Sequence, residues 1–192
     1  RNRLFLADMK SLQEMHLTLS EVADNQQLYI QMINLSQQRL GLERVALFLL
    51  DDSNHTLIGT YGISADGVVR NEQYYQETVK PDHWTLEIVQ APNHAKLWEN
   101  APLFDNGEKV GTGWKAAAAL WNGQKAIGYL LCDNHLTGKP PRPYEAELIS
   151  LLGSTFGHLV ERQRTEQRLA IARDQALEAS RFKGQLLAKV SH

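Results

Sequence analysis

Few residues in this chain stand at spacings that perform chemistry, and most of those have a structural reading beside the chemical one. Cys132 and His135 are close enough to be two ligands of one metal, but no second pair at suitable spacing accompanies them, which argues against structural zinc and for no metal site. Asp51 and Asp52 form a carboxylate pair; followed by Ser53-Asn54 they read as turn residues rather than an acid–base couple. Gly107, Gly111 and Gly113 form a glycine-rich stretch without the Gly-Lys-Ser/Thr ending of a phosphate-binding loop, and they predict a mobile loop. His158 falls within a helical pattern and reads as a rim or core histidine before a haem ligand. No nucleophile stands beside a base, so nothing marks this chain as an enzyme in itself. What remains is aromatic. Trp84, Trp98 and Phe104 crowd into the least regular part of the sequence, residues 80 to 113, with Trp114 just after it, and with Tyr61 and Ile88 these are the candidate wall of a small-molecule pocket. The other reading has the aromatics capping a core beneath a long connection, and it carries more weight.

The elements that position these residues are legible from periodicity. Phe5, Met9, Leu12, Met15, Leu19 and Val22 share one helical face. Asp24, with Gln27 three residues on, resembles a capping box opening a second helix whose stripe is Leu28, Met32 and Leu35 and whose end is Gly41. Val45 to Leu50 is an unbroken apolar run of strand length, as a central strand covered on both faces requires. Thr56 to Tyr61 returns as a strand, Val68 to Val79 has room for a third, and Trp84 to Gln90 predicts a short helix stopped by Pro92. Trp114–Trp121 and Lys125–Cys132 flank Asn122-Gly123, which predicts a hairpin with positive φ at both turn positions. Short antiparallel strands between terminal helices make an α+β domain with one mostly antiparallel sheet.

The C-terminal third is a long helix. Pro143 can open it, Glu145 and Glu147 suit its first turn, and Tyr144, Leu148, Leu151, Leu152, Thr155, Phe156 and Leu159 form a packing stripe. After Val160 the sequence becomes charged, yet no Gly or Pro occurs between Gly157 and Gly184. A helix from Pro143 to Ser191 would span about 73 Å, and its polar part needs a partner. Leu169, Ala172, Ala176, Ala179, Lys183, Leu186 and Val190 recur at steps of three and four, a thin heptad seam for a parallel homodimer, with a solvated helix as the alternative.

Composition limits the rest. Hydrophobic residues at 43% and a formal net charge of −2 describe an ordinary globular protein with no field to recruit nucleic acid or an anionic membrane. A single cysteine precludes an intrachain disulfide and suits a reducing cytoplasm, and no apolar run reaches membrane-spanning length. A chain that starts at Arg1 and stops at His192 inside a helical pattern reads as part of a longer protein.

Gly128-Tyr129-Leu130-Leu131-Cys132-Asp133-Asn134 resembles the strand-end Gly-x-Leu-x-x-Asp-Asn of GAF domains, and the order of helices, strands and hairpin over roughly residues 8 to 160 agrees with that family. Some GAF domains bind bilins through a cysteine followed by histidine, but Asp133 follows Cys132; others bind cyclic nucleotides through an Asn-Lys…Phe…Asp-Glu set that is absent here. The resemblance therefore implies an unknown small-molecule ligand or none. Phe182 to His192 is similar to the start of the dimerisation helix of sensor histidine kinases, matching at Leu186, Leu187, Ala188, Ser191 and His192. That resemblance implies a phospho-acceptor role for His192, whose neutral imidazole can attack a γ-phosphoryl group near pH 7. The implied layout is a connecting helix over 1–23, a GAF-like sensor over 24–160, a coiled-coil signalling helix over 161–181 and a truncated phospho-acceptor helix over 182–192. The implied function is the cytoplasmic input module of a two-component histidine kinase. Its partners would be a second copy, a kinase ATP-binding domain and a response regulator. The alternative is a docking or dimerisation module without a ligand.

Overall fold

The computed structural model describes residues 2–191. These fall into two units that divide between Leu159 and Val160. The first is built on β1 (Arg44–Leu50), β2 (Thr56–Ile63), β3 (Val69–Asn71), β4 (Gln76–Thr78), β5 (Ala95–Asp105), β6 (Glu108–Trp121) and β7 (Ala126–Asp133). The strands lie in the order β3-β2-β1-β7-β6-β5, with β4 also on β2, and every pairing is antiparallel. β1 sits mid-sheet and buries side chains on both faces, which is why its sequence is an apolar run rather than an alternation.

Alternation sorts the strand residues onto two faces. One face carries Val45, Leu47, Ala116, Ala118, Leu120 and Leu130, all buried, beneath α2 (Asn25–Leu40) and the first turns of α4 (Glu145–Val190), and α1 (Asn2–Leu19) packs against α2. Asp24 caps α2 by accepting from the Gln27 N–H at 2.9 Å. Gly41, at φ +66°, closes it as an αL cap, its N–H donating to the Gln37 carbonyl at 3.1 Å, while the Leu42 N–H donates to the Ser36 carbonyl at 3.3 Å. α4 lies against β6 at Gly157, where a Cβ would stand 2.5 Å from the Trp121 nitrogen and 2.6 Å from its carbonyl carbon. The opposite face carries Leu50, Leu57, Ala117, Ala119 and Tyr129 under Ile88 of α3 (Trp84–Gln90).

Several expectations are corrected. Residues 80 to 113 are mostly regular: α3, a 3₁₀ turn at Pro92–His94, all of β5 and the first part of β6. β5 is an edge strand, so it tolerates Pro102 and the charged Lys96, Glu99 and Asp105, which disguise a strand pattern. The glycines expected in a mobile loop divide accordingly, Gly107 into a tight turn and Gly111 and Gly113 into β6. The two-residue hairpin with both φ positive is Asn106-Gly107, at +50° and +79° between the paired Asp105 and Glu108. Asn122-Gly123 instead lies in a four-residue connection between Trp121 and Ala126, with only Gly123 at positive φ and the Asn122 side chain accepting from Gln124 N and Lys125 N. Val68 to Val79 holds two short strands, β3 and β4, both on β2. α4 begins at Glu145 rather than Pro143, and Leu151 of its expected packing stripe is 41% exposed while Ile149 is fully buried.

The second unit is the remainder of α4. From Thr165 to Ser191 every side chain is exposed, including the expected seam positions Leu169, Ala172, Ala176, Ala179, Leu186 and Val190. His192 lies outside the described residues. Among the described residues no helix is long and apolar enough to cross a membrane.

Candidate functional site

A cavity of about 760 Å³ opens on the α3 side of the sheet, at the end where β1 begins and β7 finishes. Its floor is Ala46 and Phe48 of β1 with Leu131 of β7; its walls are the β3–β4 connection, Trp84 of α3, Trp98 and Pro102 to Asp105 of β5 and the Asn106-Gly107 turn. Phe48 and Tyr75 meet edge to face at 5.4 Å, and Trp84 meets Tyr129 likewise at 5.5 Å, so the aromatic lining is braced from behind.

Two ion-pair groups hold this shape. Arg44 is buried and donates through Nε to Asp133 Oδ1 at 2.9 Å and through Nη2 to Asp133 Oδ2 at 2.6 Å, with a further bond from Nη2 to the Phe104 carbonyl at 3.2 Å. One guanidinium thus ties the start of β1 to the ends of β7 and β5 in bidentate geometry. At the mouth, Arg70 of β3 donates to Asp105 at 2.5 Å and to Glu72 at 2.9 Å, and Asp105 also accepts from the Ala65 N–H at 3.1 Å. The Arg70 bond, aided by the Ala65 N–H, holds the Asp105 carboxyl below the usual carboxylate range. The same carboxylates raise Arg70 further, keeping it charged. Tyr74 donates to Asn106 Oδ1 at 2.6 Å, so β3 and the connection after it are latched by two bonds to the end of β5 and the turn after it. Burial, reinforced by its hydrogen bond to Glu77, pushes the Tyr75 hydroxyl up.

The remaining charge is Lys115 of β6. Its Nζ stands 5.4 Å from the Trp98 ring centroid, and no carboxylate lies within 4.0 Å of it among the described residues. Cys132 faces away: alternation turns its thiol to the helix side, where burial and the Glu145 carboxylate push it well up and leave it protonated. Among the described residues no group of three His, Cys, Asp or Glu side chains converges to hold a metal.

Of the six residues expected to form a pocket, Trp84, Trp98 and Phe104 line the cavity. Ile88 does not, being fully buried in the core beneath α3. Trp114 is on the opposite face of β6, where its indole N–H donates to the Lys139 carbonyl at 2.9 Å. Tyr61 is displaced by an irregularity in β2, which sets Gly62 rather than Tyr61 opposite Ala46. His158, expected at a rim or in the core, is exposed. The polar half of the cavity went unread: Arg44, Glu72, Tyr74, Asp105, Asn106, Lys115 and Asp133. The available signals were Asn106-Gly107 as a turn and Asp133 within the strand-end motif.

No protein-family model matches this chain, and no curated protein matches it significantly. Solved structures do. A GAF domain from an Acinetobacter phosphoenolpyruvate-protein phosphotransferase superposes with a TM-score of 0.62 at 11% identity, covering 82% of this chain and 94% of that one. A protein in its far-red-absorbing dark state with bound biliverdin IXα gives 0.60 at 13% identity over 80% and 99%. A GAF domain assigned to a sensor histidine kinase of Pseudomonas syringae pv. tomato gives 0.53 at 13% over 90% and 96%. The fold is that of GAF domains.

Proposed function

From a GAF fold with an open, aromatic-walled cavity on its sheet, we propose that this chain is a sensory input module that binds a small molecule there and reports its occupancy through α4. The observation that carries this reading is the cavity itself. Trp84, Trp98 and Phe104 stand around a space of about 760 Å³ instead of filling it. That volume lies within the roughly 300–1,000 Å³ of small-molecule sites, and its mix of apolar walls with a few polar groups is what such sites use. A cavity packed by those three rings would have favoured the docking reading.

α4 is one unbroken helix of 46 residues whose later apolar side chains are exposed in the single chain. In the proposed output, two copies pair through Leu169, Ala172, Ala176, Ala179, Leu186 and Val190. Ligand then favours one of two packings of that pair, by its differential affinity for them. The change reaches His192, the proposed phospho-acceptor, with the kinase ATP-binding domain and the response regulator as partners in the cytoplasm.

A thermal-shift screen of a metabolite panel tests the sensing step, with Ala46→Leu as the variant that blocks the cavity floor. A true ligand at a hundred times its Kd adds about 2.7 kcal/mol, or roughly 5–11 °C for a domain of this size, to the wild type and little to the blocked variant. Equal shifts in both proteins would place binding elsewhere. For the output step, acid-labile label from a kinase ATP-binding domain supplied in trans should appear on the chain and vanish in His192→Gln. Leucines at Ala172, Ala176 and Ala179 should lock the pair and uncouple ligand from label; an intact response in that variant refutes the relay.

A further inference from the structure

Resting on the reading of the cavity as a ligand site, we propose that its ligand is a flat aromatic monocarboxylate, its carboxylate on Lys115 and its ring system against Trp98. The Arg44 charge is met by Asp133 in bidentate geometry, with the Phe104 carbonyl as a further acceptor, and Asp133 also accepts from the His135 N–H at 3.0 Å. Glu72 and Asp105 are both committed to Arg70. Each carboxylate in the wall thus already has a guanidinium partner. Lys115 is the exception among the lining charges, half-buried with a π face beneath it and, among the described residues, no carboxylate within 4.0 Å, its cross-strand neighbour Asp133 being held by Arg44.

Lys96 supplies the contrast within the same structure. Its Nζ stands 5.3 Å from the same Trp98 ring, but it is outside the cavity and is paired with Glu87 at 3.1 Å. The lysine on the cavity side lacks what its neighbour has. An ammonium partly withdrawn from water without a counter-charge favours an anionic ligand group that restores the pairing. The charge should be single. Asp133 is the cross-strand partner of Lys115 on the same face, so a dianion such as a phosphate monoester would meet a carboxylate beside its one cation. A flat ring system suits a wall that holds the five aromatic side chains Trp84, Trp98, Phe104, Tyr74 and Tyr75, with Ile63, Leu103 and Leu131 as its aliphatic part.

The test uses the whole chain and three isosteric probes: 2-naphthoate, the neutral 2-naphthamide and the cationic 2-naphthamidine, each titrated calorimetrically. The proposal expects naphthoate to bind at least about tenfold tighter than the amide, the scale of one charge-assisted hydrogen bond, with the amidine weakest. Lys115→Met should erase the acid-over-amide preference, Lys115→Arg should keep it and Lys96→Met should leave it intact. Circular dichroism checks that each variant is folded. Equal binding of acid and amide, tighter binding of the amidine, or a preference that survives Lys115→Met overturns the proposal. If all three probes fail while a panel compound still binds wild type and is excluded by Ala46→Leu, this proposal falls and the sensory reading stands. If nothing binds, both fall.

Discussion

The bidentate Arg44–Asp133 pair makes the sharpest quantitative claim about how the cavity is held. The two side chains are 7% and 14% exposed, so replacing Arg44 with Met strands a carboxylate in a mostly dry environment. Breaking a buried pair by deleting one partner costs about 3–5 kcal/mol. Asp133 keeps its bond from His135 N and a little solvent, which argues for the lower end, near 3 kcal/mol. The orphaned Phe104 carbonyl adds roughly 1 kcal/mol. At about 2–4 °C per kcal/mol for a domain of this size, Arg44→Met should lower Tm by roughly 8–16 °C. The double variant Arg44→Met/Asp133→Leu removes both charges and should recover most of that loss, because a well-packed apolar pair is often no worse than a buried ionic one. Urea denaturation of the four proteins of this cycle, followed by circular dichroism, measures the coupling. Single variants that each lose under about 1 kcal/mol, or a double variant whose loss equals their sum, would refute the argument that this pair is desolvated and mutually dependent.

Gly157→Ala gains roughly 1 kcal/mol of helix propensity but drives a Cβ into the Trp121 backbone, so chemical denaturation should show a net loss of about 1–2 kcal/mol; a more stable variant would contradict the close approach of α4 to β6. Asp105 has a lowered folded pKa, so the latch stabilises the fold above the usual carboxyl value and is lost as pH falls through the lower folded one. Asp105→Asn should accordingly flatten the acid limb of the stability curve and speed amide exchange at Asn106 and Gly107, and an unchanged acid limb would argue against the latch. Glu145 carries the opposite sign: burial raises its pKa above 4.5 despite Arg142 at 3.6 Å. Its contribution is present at low pH and lost as pH rises through the folded value, so the advantage of Glu145→Gln over wild type should grow from pH 4 to pH 7. An advantage independent of pH would assign the effect to packing. Tyr144→Phe removes a 2.6 Å bond to Asp8 from a hydroxyl pushed up to about 12 by burial and that bond, and should cost about 1–2 kcal/mol in the same denaturation assay.

Local chemistry was enough to read much of this protein from its sequence. The caps at Asp24 and Gly41, the apolar run of β1, the short α3 before Pro92 and the unbroken α4 follow from interactions within a few residues, where side-chain type and backbone preference act directly. The reading failed where a neighbour distant in sequence decides. β5 looks irregular because its position at the sheet edge lets solvent-facing charges and a proline interrupt the pattern. Two Asn-Gly pairs look alike, yet the pairing of Asp105 with Glu108 makes only Asn106-Gly107 a two-residue turn. The site divides in the same way. Aromatic crowding pointed to Trp84, Trp98 and Phe104, but the break in β2 register removes Tyr61 and strand alternation removes Trp114. Arg44 and Asp133, 89 residues apart, meet only because β1 lies beside β7. Whether Lys115 has a counter-charge is decided by which carboxylates the fold has already given to Arg44 and Arg70, a question of tertiary distance that no local spacing encodes.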